Sequence, residues 1–219
     1  MIDFRSPCPK VPFFSRRSFL TFSIVPPPVL KAVYDALYYD LSLKTVGLGI
    51  GLLLIAAHLF FLIRSEPAKA WLKALPRNGR FGTVILAIDF AWCFLVWSEM
   101  DLGEFYTMEK TVQVILVFGF LGFGYYVREF LAVRALGLFL ILLACPVLDA
   151  AFLQPPLTRL LLVFLAYAWI IKGMFYVGMP YLMRDGIDWV LAKPSRWKMG
   201  AIAGLAYGVA VLVCALLFY

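Results

Sequence analysis

Uninterrupted apolar runs of about twenty residues constrain this chain more than any other feature. Thr45 to Ile63 carries His58 and Leu160 to Gly178 carries Lys172 as the one histidine or charged side chain in each. A run of that length spans a hydrocarbon core of about 30 Å as a helix. Inside that core water cannot satisfy backbone amides, so the helix, which bonds its own, is the structure such a run can adopt. A barrel would read as stretches of about ten residues with alternating polarity, and none is present. Composition agrees, with 63% hydrophobic and 15% charged residues, where a soluble domain runs near half and a quarter. The expected fold class is therefore an all-α integral membrane protein: a bundle of about six transmembrane helices with short loops and interfacial amphipathic helices.

The spans are expected at 43–63, 81–98, 110–127, 131–152, 157–180 and 199–219. The third and fourth are parted only by the segment around Arg128, Glu129 and Phe130, which demands a tight turn. Ahead of them, residues 29–42 place Leu30, Val33, Leu37 and Leu41 at helical spacing among Tyr34, Tyr38 and Tyr39, the pattern of an amphipathic interfacial helix. In the first loop, Ser65 can cap and Pro67 can begin a short helix. Its Ala68, Trp71, Leu72 and Leu75 form one face, with Lys69 and Lys73 toward water.

Lysines and arginines set the orientation. Arg64, Lys69, Lys73, Arg77 and Arg80 follow span one; Arg128 and Arg134 flank the third turn; Arg184, Lys193, Arg196 and Lys198 precede span six. The alternate loops offer Lys110 and Arg159 only, and the second is acidic, with Glu99, Asp101, Glu104 and Glu109. The positive-inside rule makes the odd-numbered loops cytoplasmic.

Residues 1–28 differ from the rest in mixed polarity and a Pro26-Pro27-Pro28 run, and read as a flexible N-terminal tail. Within them Ser15-Arg16-Arg17-Ser18-Phe19-Leu20 resembles a twin-arginine export signal, although the apolar stretch behind it is short.

The net charge of +7 does not point to nucleic acid, because the positive residues sit in short loops beside spans and form no coherent basic surface. Of the cysteines, Cys93, Cys145 and Cys214 lie in apolar runs with no CxxC spacing. A single histidine cannot supply two axial haem ligands, and no HExxH, Walker or GxSxG pattern occurs. No metal and no cofactor are expected.

Ionisable groups inside spans are the informative exceptions, since each costs a few kcal/mol at mid-bilayer unless paired. His58, Asp89 and Lys172 fall at similar depth on three different spans, with Arg134 slightly shallower on the same side. The expectation is an intramembrane polar cluster in which Asp89 pairs with Lys172 and His58 lies nearby. Gly200, Gly204 and Gly208, four apart, line one groove of the last span and suit close helix packing. Gly47, Gly49 and Gly51, and Gly119, Gly122 and Gly124, are looser versions.

Together these features lead to the expectation of a non-catalytic accessory or scaffold subunit of an inner-membrane assembly. Its partners would be the lipid bilayer and other membrane subunits or copies of itself. The alternative is a small proton-coupled or small-solute transporter or channel using the polar cluster.

Overall fold

The computed structural model describes residues 27–99, 108–126 and 129–219. Residues 1–26 of the expected tail, with the twin-arginine-like segment, and Asp101, Glu104 and Arg128 lie outside them. Among the described residues the chain is α-helical without strands. The interfacial helix is α1 (Pro27–Tyr38), and Ser42 caps α2 (Leu43–Ile63) by accepting a hydrogen bond from the Thr45 amide at 3.1 Å. Next come α3 (Ser65–Ala74), a 3-10 turn at Leu75–Arg77, α4 (Gly79–Glu99), α5 (Glu109–Tyr126) and α6 (Leu131–Ala151). The chain ends with α7 (Leu160–Gly178), α8 (Tyr181–Leu191) and α9 (Pro194–Leu217).

Three boundaries differ from the sequence reading. α1 runs Pro27–Tyr38 instead of 29–42 and so takes in the last two residues of the expected tail. Tyr181–Leu191, read as a charged loop, is helix α8. Its Met183 and Ile187, one turn apart, are buried while Arg184, Asp185 and Asp188 remain exposed. α9 begins at Pro194 rather than near 199, because a proline in the first turn needs no amide partner.

Five helices, α2, α4, α6, α7 with its preceding 3-10 turn, and α9, are long and apolar enough to cross a membrane. At 18 residues α5 is shorter, about 27 Å. Its crossing follows from its neighbours. Gly82 of α4 meets Ala132 of α6, and farther along the same helices the Trp92 and Phe139 rings meet, so α4 and α6 run in the same direction. The chain must return between them. α5 does so, with Phe120 against Phe90 and Gly124 against Leu86, antiparallel to α4.

α6 sits at the centre, packed on α4 and on α7, while α2 pairs with α9. At one end the start of α2, the end of α6, the start of α7 and the end of α9 share a core of Val46, Ile50, Ala144, Val147, Leu162 and Val211. There Tyr207 donates to the Leu161 carbonyl and Tyr219 to that of Thr158, tying α9 to the α7 entrance. At the other end Leu75, Val133, Met183 and Ile187 join the 3-10 turn, α6 and α8. The expected turn before α6 is present at Glu129 and Phe130, and Phe130 takes the left-handed conformation, φ 55°. A bulky residue is strained there. Its ring packs onto the core around Val133.

Candidate functional site

Asp89 is the one buried charged residue among those described, at 0% exposure. It lies on the α4 stripe that also carries Gly82 and Leu86, the residues that meet α6. Neither carboxylate oxygen has a hydrogen-bond partner. A carboxyl group in that position carries the full cost of leaving water with nothing returned. Native interiors rarely keep such a group, so Asp89 is the chemically distinctive position in the bundle.

The expected cluster does not assemble. Lys172 is exposed on α7, because that helix turns Gly173 and Tyr176 toward α6 and leaves its neighbour outside. Asp89 has no hydrogen-bond partner and Lys172 is exposed, so the expected Asp89–Lys172 pair is corrected. Equal depth had suggested contact, but depth says nothing about which way each helix is rotated.

His58 lies in another seam. Its Nδ1 is 2.7 Å from the Leu54 carbonyl of its own helix, and its ring covers Gly204 of α9 so closely that a Cβ there would overlap it. Phe61 and Trp197 continue that contact, with the Trp197 indole donating to the Phe61 carbonyl at 3.2 Å. Arg134 is half-buried on α6, its Nε without a partner. The four residues therefore occupy separate environments: an inter-helix seam, a buried stripe, a lipid-facing surface and the flank of α6.

The glycine stripe also divides. Gly204 and Gly208 face α2, where Gly208 abuts Leu54 and Ile55, whereas Gly200 looks into open space. Gly47 and Gly51 on α2 complete that seam against Ala215 and Leu212. In α5, Gly119 and Gly122 have nothing within 4 Å. The tightest approaches to backbone atoms lie at glycines that form no local repeat. A Cβ at Gly137 would stand 2.8 Å from the Gly173 carbonyl oxygen, one at Gly173 would stand 2.6 Å from that of Gly137, and one at Gly82 would stand 2.6 Å from the Ala132 amide. These positions pair across helices and leave no periodic trace within either one.

Chemically, Asp89 can exchange a proton or take a cation, and the Cys93 thiol, one turn farther along α4, lies close enough to interact with it. No group of three or more His, Cys, Asp or Glu side chains suited to a metal occurs among the described residues. No family model, curated protein or solved structure matches the chain.

Proposed function

We propose that this protein is a non-catalytic accessory or scaffold subunit of an inner-membrane assembly, and that α5 is the helix its partner grips. The carrying observation is how α5 is held. It packs chiefly against α4, none of its described side chains is fully buried, and no described residue lies within 4 Å of where a side chain at Gly119 or Gly122 would begin. Helices in lipid associate through close packing rather than through burial of apolar surface from water. A helix with one main seam and such small residues is thus prepared for a second helix, supplied by a membrane subunit. The same reading puts the α3–α8 end in the cytoplasm, supported by the Lys and Arg residues gathered there.

The test is purification of the tagged chain from its native membrane in mild detergent, followed by native mass spectrometry. A stoichiometric membrane partner that disappears on Gly122→Leu supports the reading. A lone chain, or a partner indifferent to that substitution, overturns the α5 assignment.

One observation favours a second reading, movement of protons or a small cation through the bundle: the unpartnered buried carboxylate of Asp89. Proteoliposomes holding the chain alone would then show a flux that Asp89→Asn abolishes. A scaffold subunit shows none.

A further inference from the structure

We infer that the end of the bundle built from α3, the turn after it, α8 and the start of α9 is a docking surface for anionic phospholipid headgroups. Two short amphipathic helices, distant in sequence, come together there. Ala68, Leu75, Met183 and Ile187 are buried beneath them, and Val133 of α6 anchors the shared core. This fixes α3 and α8 to the transmembrane part as one platform rather than as two loose loops.

Charge on the platform is predominantly positive: Glu66 and Asp185 are paired, and Asp188 is the one exposed acid on its helices outside an ion pair among the described residues. Arg64, Lys73, Arg77, Arg80, Lys193 and Lys198 are exposed and take part in no ion pair among the described residues. Three other cations are already engaged, Arg184 by its ion pair with Asp185. Lys69 pairs with Glu66 at 2.8 Å and lies 5.9 Å from the centre of the Trp197 ring; Arg196 stacks 4.2 Å over Trp189 and donates to its carbonyl. The opposite end instead mixes Lys31, Lys44 and Arg159 with Asp35, Asp40, Glu99 and Asp149. A headgroup layer attracts juxtamembrane lysines and arginines and is attracted by them in turn.

The apolar side chains select lipid over a soluble acidic partner. Trp71 is 49% and Trp189 58% exposed on the same two helices, and Tyr181 and Leu182 stand open beside them. Indole rings interleaved with flexible cations match the boundary between headgroups and acyl chains. Such a boundary satisfies both at once, and the platform already sits where the spans leave the hydrocarbon core. This assignment stands apart from the role proposed for α5, since it concerns another surface and another class of partner.

The experiment titrates the detergent-solubilised whole chain with phosphatidylglycerol or phosphatidylcholine and counts bound lipids by native mass spectrometry. Phosphatidylglycerol should be retained preferentially. Combined Lys73→Gln, Arg77→Gln and Lys193→Gln substitutions should weaken that retention at least about tenfold. The matched change at the other end, Lys31→Gln, Lys44→Gln and Lys110→Gln, should leave it unchanged. Should the first variant misfold, raising the salt must still release phosphatidylglycerol from the unaltered chain. Equal uptake of the two lipids, equal loss in both variants, or salt-insensitive retention overturns the inference. An acidic soluble partner bound by the unaltered chain, with no lipid preference, would also overturn it.

Discussion

The α6–α7 seam and the α4–α5 seam are both antiparallel and glycine-bearing, yet they are built on different principles. At the first, Gly137 and Gly173 bring backbone against backbone, each occupying the space the other's side chain would need. At the second, Phe120 meets Phe90 with ring centres 5.2 Å apart, and the one glycine involved, Gly124, would place a Cβ 3.3 Å from a Leu86 methyl. Backbone cannot move aside without dragging a helix, whereas a leucine methyl or phenyl ring can. Close packing is the main source of helix association in lipid. The α6–α7 pair therefore belongs to the rigid frame, and α5 is attached to that frame through adjustable side chains. The glycines of α5 that look most like a packing motif in the sequence are the ones the bundle leaves open.

The sharpest way to break this contrast is to enlarge one glycine on each side of it. Gly137→Leu is expected to destabilise the bundle by about 3 kcal/mol or more, the upper part of the overpacking range, because the obstruction is the Gly173 carbonyl. Gly122→Leu is expected to change stability by less than about 0.5 kcal/mol, as for a surface substitution away from special features. Thermal unfolding in detergent, followed by circular dichroism, separates the two. Equal losses would mean that α5 is as tightly enclosed as α7, and the division into frame and attachment would fail.

Asp89 sharpens the comparison, because it lies on α4, the helix that joins the two regions. Its carboxylate has no partner, so Asp89→Asn is expected to leave stability within about 1 kcal/mol of the original or to raise it. Lys172→Gln should be neutral on its exposed face. Had the two formed the pair expected from their depth, removing either partner would cost about 3–5 kcal/mol by stranding the other. Unfolding midpoints of the two single variants distinguish these outcomes directly.

The contrast also explains what the sequence could and could not disclose. Bilayer thickness acts on each segment separately, so apolar run lengths recorded the helices; α2 ends at Ile63, where Arg64 interrupts the run. The helical pitch likewise exposed α3. Rotation about each helix axis is different, because it is decided by neighbours on other helices. Asp89, Lys172 and His58 were legible as anomalies, but their separation was not, since nothing local to α7 says that Gly173 rather than Lys172 turns inward. The same limit hid the Gly137–Gly173 contact, in which each helix contributes one glycine and neither shows a period. α8 escaped for another reason: Arg184, Asp185, Gly186 and Asp188 lowered its apolar content, while Met183 and Ile187 kept the helical spacing.

Between the two extremes lies the α2–α9 seam, where a side chain covers a backbone. The His58 ring rests on Gly204, so Gly204→Ala must displace it and break its contact with the Leu54 carbonyl. The expected loss is about 1–2 kcal/mol, smaller than at Gly137 because an imidazole can swing where a carbonyl cannot. Adding His58→Ala should recover part of that loss, since the methyl group would then enter vacated space. A coupling of about 1 kcal/mol between the two changes in a double-mutant cycle is the expected result. Strict additivity would mean that the helices themselves separate when Gly204 is enlarged. The α2–α9 seam would then belong with α6–α7 as backbone-limited frame, leaving α4–α5 as the adjustable attachment.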